Sequence, residues 1–155
     1  MNLRPLTPAD HAPIIRVLDD WWGGRRMSDK LPKLFFTHFG NTSFIAEGKY
    51  DGEIAGFLVG FFSPTYPDEA YIHFIGVNPV HRKAGVGRML YERFFDLMRA
   101  NQRHIVRCVT SPINTTSIAF HTRMGFAIVE QADSLSYIAD YDGPGEHRVL
   151  FTKRI

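Results

Sequence analysis

Cysteine is nearly absent from the sequence, since Cys108 is the one cysteine in 155 residues. A single thiol excludes a disulfide within the chain, which is consistent with a reducing compartment. Because Cys108 lies in an apolar strand pattern, we interpret it as a small core residue and not as a nucleophile. No apolar run approaches the roughly 18 residues of a membrane-spanning helix, and the N-terminus has no apolar signal-peptide region. We therefore expect a cytoplasmic protein with no membrane partner.

An excess of charge of one sign is also missing. The net charge is +2, and the basic residues are dispersed along the chain, so nothing argues for a nucleic-acid partner. The seven histidines are scattered and only one cysteine exists, so no metal-ligand spacing occurs and we expect no metal. The hydrophobic content of 45% and the charged content of 22% are those of a globular protein. The length suits a single domain spanning residues 1–155.

Periodicity predicts strands and helices in the order β-α-α-β-β-β-α-β-α-β-β. The predicted strands are 3–6, 42–48, 54–62, 71–77, 104–110, 126–130 and 147–152, and the predicted helices are 8–22, 30–39, 85–100 and 114–125. Strands 2 to 4 form a predicted meander, whereas strands 4 and 5 are joined by a helix and should be parallel. The expected fold is α/β, or α+β with a mixed sheet, with helices on both faces.

A turn rich in glycine and basic residues, 82–88, lies between strand 71–77 and the next helix. Such a turn can direct several backbone N–H groups at one anion, and the helix dipole favours negative charge there. A P-loop pattern is absent, and a dinucleotide fingerprint would need a small residue where Leu90 stands. The residues predicted to bind the anion are Arg82, Lys83, Ala84, Gly85, Val86, Gly87 and Arg88.

This stretch resembles the signature of the GCN5-related N-acetyltransferase (GNAT) superfamily. That signature is a strand, Val-x-Pro, Arg/Gln-x-x-Gly-x-Gly/Ala and a helix, and here it reads Val77-Asn78-Pro79 followed by Arg82-x-x-Gly85-x-Gly87. In the family the turn holds the pyrophosphate of acetyl-coenzyme A. The predicted element order is also that of the family, so the resemblance covers essentially the whole chain.

A second stretch, 114–126, resembles the family's later motif. The family's asparagine at the position of Asn114 bonds the coenzyme arm, and the helix that follows lies against that arm. The resemblance extends this role to Asn114 and also to Ser117 and Phe120. Many family members have a tyrosine where this chain has His121, and that tyrosine is assigned as the acid for the departing thiolate. His121 is therefore the candidate acid, and the departure from tyrosine leaves the identity of the acid open.

The resemblance implies direct transfer of an acetyl group from acetyl-CoA to a primary amine of a small molecule or peptide, within a ternary complex. In the family a backbone N–H of the fourth strand bonds the thioester carbonyl, where strands 4 and 5 splay apart. Here that segment contributes Ile75, Gly76 and Val77, and Gly76 should permit close approach of the pantetheine arm. A homodimer is possible, since homodimers are common among relatives.

The attacking amine must be neutral, and only about a thousandth of a lysine-like amine with a pKa of about 10.4 is neutral near pH 7.4. A base is therefore useful. The leading candidate is His73, although a lone histidine in an apolar strand is commonly a core residue. Strict alternation would place His73 on one face with Tyr71 and Ile75, and Ile72 with Phe74 on the other face. The other base candidates are Glu69, Asp68 and Tyr71.

Two alternatives remain open at this level. The first is a catalytically weak member of the same fold that would bind acyl-CoA as a sensor or partner module. The second is a nucleotide-binding domain, which is disfavoured by the missing P-loop residues. The amine is not readable from the sequence. Residues that would shape its site are Trp21, Trp22, Arg25, Arg26, Asp140, Tyr141 and Asp142. The acidic residues would attract a cationic amine and the arginines an acidic one.

Overall fold

The computed structural model describes residues 1–132 and 136–155. It contains the predicted order of elements. The strands are β1 (Asn2–Pro5), β2 (Phe44–Glu47), β3 (Ile54–Phe62), β4 (Glu69–Val77), β5 (Ile105–Thr110), β6 (Ala127–Ile128) and β7 (Val149–Arg154). The helices are α1 (His11–Trp21), α2 (Leu34–His38), α3 (Val86–Ala100) and α4 (Thr115–Arg123).

The strands form one mixed sheet in the order β1-β2-β3-β4-β5-β7-β6. Strands β4 and β5 are parallel, as predicted, and their pairing covers only Glu69–Tyr71 against Ile105–Arg107. Beyond these residues the two strands diverge. Among the described residues, no strand pairs with this edge of β4 beyond Tyr71.

Helices cover both faces of the sheet, and each face has its own core. On one face, α3 buries an apolar stripe that includes Leu90 and Phe94, and α4 packs beside it. On the other face, α1 buries Ile14 and Leu18. The predicted sandwich of a mixed sheet between helices is therefore confirmed.

A β-bulge in β4 corrects the predicted faces of that strand. Val59 pairs with Phe74, whereas the adjacent Gly60 pairs with Ile72, so His73 is an extra residue in β4. A bulge of this kind shifts the alternation of side chains by one position. Accordingly, Ile72 packs in the core under α3, and Phe74 packs in the core under α1. The prediction that these two residues share a face was wrong.

The second helix is shorter than the sequence pattern indicated. A 3-10 turn covers Ser28–Lys30, and α2 begins only at Leu34. The physical reason is Pro32, because the residue before a proline is disfavoured in helical geometry, and Leu31 is non-helical with φ −128° and ψ 67°. None of the helices in residues 1–132 and 136–155 combines the length and apolar composition needed to cross a membrane.

Candidate active site

Two cavities open beside β4 and share part of their lining. We call the cavity at the glycine-bearing turn the loop cavity, with a volume of about 720 Å³, and the one toward β5 the sheet cavity, with a volume of about 620 Å³. We call the residues that line both cavities the junction, which comprises Trp22, Arg25, Ile75, Asn114, Ser117 and His121. The sites predicted from two separate sequence motifs therefore meet in one place.

Nearly all of the predicted anion-binding turn lines the loop cavity, with Ala84 as the exception. Lys83 and Gly85 have positive φ values of 68° and 80°, which turns successive peptide groups in a way that can form an anion-binding concavity. A Cβ on Gly85 would meet nothing within 4 Å. Several backbone N–H groups of the turn have no acceptor within the described residues, namely those of Lys83, Gly85, Val86, Gly87 and Arg88.

Arg82 makes a contact that the sequence did not predict. Its guanidinium donates to the carbonyl of Trp21 at 2.5 Å, the last residue of α1. A cation is favoured there because a helix C-terminus carries partial negative charge. Arg82 therefore ties the turn to the end of α1, while it still lines the loop cavity.

The unpaired edge of β4 faces both cavities. Asn78 donates its N–H to the Ala55 carbonyl at 2.9 Å on β3. Because successive residues of a strand direct their N–H groups to opposite edges, the N–H groups of Val77 and Ile75 point away from β3. Both residues line the loop cavity. Within the described residues these two N–H groups have no strand partner, so they can donate to a ligand in the loop cavity.

Gly76 has a different role from the predicted one. It lines neither cavity. A Cβ at this position would lie 2.5 Å from a ring carbon of Phe57 and 3.2 Å from the ring of Trp22. The glycine therefore makes room for these two aromatic rings on the α1 side, and its side-chain position faces neither cavity.

Gly87 and Phe120 bring the two motifs together. A Cβ on Gly87 would lie 3.1 Å from the Phe120 ring, so the glycine allows α4 to approach the start of α3. Asn114 caps α4, because its side-chain oxygen accepts the Ser117 N–H at 3.1 Å. Asn114, Ser117 and Phe120 all line the loop cavity.

His121 is buried, with 4% of its surface exposed. Its Nδ1 lies 2.7 Å from the Ser117 carbonyl, and its Nε2 lies 2.6 Å from the Tyr91 hydroxyl. The ring also stacks on Phe151 at 4.9 Å. Burial lowers the pKa of His121, although the bond to the Ser117 carbonyl opposes this. Because both ring nitrogens are engaged, the geometry argues against the predicted direct proton donation from His121 to a thiolate.

His73 lies in the wall of the sheet cavity, where its ring stacks on Phe35 at 4.1 Å. Its Nε2 is 2.7 Å from the Lys30 carbonyl. A carbonyl can only accept, so Nε2 carries the proton and the lone pair of the neutral ring is on Nδ1. Nδ1 has no partner within the described residues. Burial lowers the pKa of His73, which favours the neutral ring.

The other base candidates are less well placed. Tyr71 lines the sheet cavity, but burial raises the pKa of its hydroxyl well above the usual range. Glu69 pairs with Arg107 at 3.0 Å. The Asp68 carbonyl accepts the N–H groups of His104 and Ile105. Neither acidic residue lines either cavity.

The outer wall of the sheet cavity carries both signs of charge. Arg148 is largely buried and pairs with Asp142 at 2.7 Å and with Glu146 at 2.9 Å. Lys30 reaches Glu146 at 3.7 Å from the opposite wall. Arg25 lines both cavities and makes no ion pair within the part of the chain that the structure describes.

Several residues named from the sequence lie elsewhere, and others were missed. Arg26 pairs with Asp29 at 2.7 Å, Asp140 lies 3.7 Å from His147, and neither Arg26 nor Asp140 lines either cavity. Tyr141 is 46% exposed and lines neither cavity. The lining residues that the sequence did not single out include Lys30, Tyr91, Glu146 and Arg148. The described residues hold no group of three metal-ligating side chains.

A protein-family model and two curated proteins of similar sequence connect the chain to acetyltransferases. The family model described as "Acetyltransferase (GNAT) family" matches residues 12–126. L-2,4-diaminobutyric acid acetyltransferase of Nocardia farcinica (strain IFM 10152) is 30% identical over 86 residues, which cover 56% of this chain and 44% of that protein. The chain spans less than half the length of the curated relatives it matches, at 44% and 48%.

Solved structures share the fold over almost the whole chain. Ard1 from Thermoplasma volcanium has a TM-score of 0.78 at 19% identity and covers 99% of this chain and 97% of its own. The structure of yncA from Salmonella typhimurium with its cofactor acetyl-CoA has a TM-score of 0.71 at 17% identity, and the match covers 99% of this chain and 93% of that chain. At these identities the matches establish the fold.

Proposed function

The chain belongs to the acetyltransferase (GNAT) family, and from this membership we propose that it transfers the acetyl group of acetyl-CoA to a primary amine of a small molecule or peptide. The observation that carries the proposal is the junction between the two cavities. The loop cavity ends on backbone N–H groups that have no acceptor within the described residues, which suits a phosphate, and the wall of the sheet cavity contains His73. A thioester at the junction would be accessible from both sides.

Acetyl-CoA fits the loop cavity in three parts. The pyrophosphate would accept from the N–H groups of the turn 82–88, with the positive end of α3 behind them. The pantetheine arm would pair with the free N–H groups of Ile75 and Val77, as an added strand does at a sheet edge. The thioester would then lie beside Ser117. The curated relatives and the structure that contains acetyl-CoA support this assignment.

The proposed reaction takes place at the junction, with acetyl-CoA in the loop cavity and the amine in the sheet cavity. The lone pair of the neutral amine attacks the thioester carbon, and as the C–N bond forms the nitrogen gives one proton to Nδ1 of His73. A backbone N–H of β4 stabilises the negative charge on the carbonyl oxygen. The C–S bond then breaks, and the electron pair leaves with sulfur. His73 is suited to the base role because the Lys30 carbonyl fixes its tautomer with the lone pair on Nδ1.

The pH dependence of the wild type tests the role of His73. A base must be neutral to accept a proton, so kcat/KM, corrected for ionisation of the amine, should fall as pH is lowered through the pKa of His73. Because burial lowers that pKa, the fall should occur below about pH 6.5. Above it the corrected profile should be flat. Steady-state rates between pH 5 and 9 provide the measurement.

The His73→Gln variant distinguishes a role of His73 as the base from a role in lining the sheet cavity. His73→Gln can keep a donor toward the Lys30 carbonyl, but a side-chain amide cannot accept the proton. We expect kcat/KM to fall by about 10²-fold, the low end of the range for general-base catalysis, and the acid limb to disappear. Unchanged kcat/KM in a folded His73→Gln protein would show that another group or water is the base.

The acceptor is proposed to carry a carboxylate near its amine. Arg25 at the junction makes no ion pair within the described residues, whereas Asp142 and Glu146 on the outer wall of the sheet cavity already pair with Arg148. An amino acid with a side-chain amine would place its carboxylate at Arg25. The diaminobutyrate acetyltransferase relative supports this class, so a panel of diamino acids, monoamines and peptides is the appropriate set of acceptors.

Thiol release together with product mass tests the proposed function. The protein should release CoA only when both acetyl-CoA and an amine are present, and the amine should gain the mass of one acetyl group. The alternative function is an acyl-CoA-binding module of the same fold. That alternative predicts tight binding of CoA in calorimetry with no amine-dependent release of thiol across the panel.

A further inference from the structure

Three polar side chains form a hydrogen-bonded string from the core to the junction. Tyr91, on α3, has none of its surface exposed, and its hydroxyl lies 2.6 Å from Nε2 of His121. On the other side of the ring, Nδ1 lies 2.7 Å from the Ser117 carbonyl and 3.2 Å from the Ser117 hydroxyl. Ser117 lines both cavities. The string therefore ends where the reacting groups would meet.

The Ser117 carbonyl fixes the direction of every bond in this string. A carbonyl only accepts, so Nδ1 must carry a proton. In the neutral ring Nε2 then holds the lone pair, and the Tyr91 hydroxyl donates to it. Since Nδ1 is protonated, the Ser117 hydroxyl can only accept from it and cannot donate to it. The hydroxyl hydrogen of Ser117 is left without an acceptor among the described residues, beside both cavities.

We propose that this hydroxyl donates a hydrogen bond to the sulfur of the departing thiolate, and that His121 and Tyr91 are positioning residues that direct it. The proposal rests on the proposed function, since it concerns the leaving group of that reaction. The C–S bond breaks, its electron pair goes to sulfur, and Ser117 keeps its proton. A thiol has a pKa of about 8.5, so the thiolate can leave as an anion and take a proton from water after release.

The Ser117→Ala variant tests the donor. It removes the hydroxyl but keeps the backbone carbonyl that binds His121. We expect kcat to fall by about 10-fold to 100-fold, as for loss of a hydrogen bond to a charged group, with the dissociation constant of CoA little changed. The matched control is Thr122→Ala on the same helix, whose hydroxyl bonds the Ile118 carbonyl and lines neither cavity. The control should retain the wild-type kcat.

A double-mutant cycle tests the positioning role. If Tyr91 acts through Ser117, then Tyr91→Phe should lower kcat by several fold in the wild-type background and have no further effect in Ser117→Ala. A merely structural role of Tyr91 would give the same factor in both backgrounds. The ¹⁵N shifts of His121 should also show a protonated Nδ1 and an unprotonated Nε2 at pH 7.5.

Each outcome distinguishes this inference from the proposed function. Absence of acetyl transfer by the wild type would contradict the proposed function and, with it, the role of Ser117. An active wild type together with full kcat in Ser117→Ala would overturn the inference alone. Equal factors for Tyr91→Phe in both backgrounds would overturn the positioning role. Should Tyr91→Phe fail to fold, the Ser117→Ala result and the ¹⁵N shifts still decide the matter.

Discussion

Gly85→Asp is expected to weaken CoA binding by at least about 100-fold while the protein stays folded. The substitution puts a carboxylate at the turn where the pyrophosphate would lie, so two negative charges would compete for the same N–H groups. Space is not the obstacle, because a Cβ at Gly85 meets nothing within 4 Å. The φ of 80° adds strain of about 1–2 kcal/mol for a residue with a side chain. Calorimetric titration with CoA gives the affinity.

Gly52→Asp is the matched control for the strain. Gly52 lies in the turn between β2 and β3 and has a φ of 75°, and a Cβ at this position would also meet nothing within 4 Å. The two variants should lose similar stability in thermal unfolding, and only Gly85→Asp should lose affinity for CoA. Wild-type affinity in Gly85→Asp would mean that the pyrophosphate binds elsewhere.

Val77→Pro should produce a comparable loss of CoA affinity, by removing the free N–H that faces the channel. Proline usually breaks a sheet because it removes a ladder hydrogen bond. Here the N–H of Val77 points away from β3, so no ladder bond is lost and the fold should survive with a modest decrease in melting temperature. The ring would also occupy the space where the pantetheine arm pairs. Binding is again measured by calorimetry.

The Val77→Ala variant distinguishes the contribution of the Val77 N–H to CoA binding from that of the Val77 side chain. Alanine keeps the N–H but removes packing against the core under α3, so its stability should fall while its CoA affinity stays near that of the wild type. The assignment of β4 as the pantetheine-binding edge does not hold if a folded Val77→Pro protein binds CoA as tightly as Val77→Ala does.

Local features of the fold were readable from the sequence. Strand β3 has the predicted bounds, Ile54–Phe62, because a long apolar run follows an Asp-Gly turn and ends before Ser-Pro. Helix α3 begins at Val86, directly after Gly85, as the change of period indicated. The two motifs also predicted most of the loop cavity, since each combines a turn or helix start with residues that must lie at the surface.

Features that depend on pairing between distant segments were not readable. The bulge at His73 arises from the register against β3, and nothing in the alternation of β4 reveals it. Tyr91 sits in an apolar stripe of α3 and resembles any core aromatic residue, while its partner His121 lies 30 positions later. One signal was available, because a buried tyrosine hydroxyl normally requires a hydrogen-bond partner.

The reaction proposed here depends on the two cavities forming one channel with the sulfur at the junction. A crystal structure of the protein with CoA bound tests this most directly. We expect the pyrophosphate on the turn 82–88, the pantetheine arm paired with Ile75 and Val77, and the sulfur within hydrogen-bond reach of the Ser117 hydroxyl. A pyrophosphate bound away from this turn, or a sulfur outside the junction, would contradict the account.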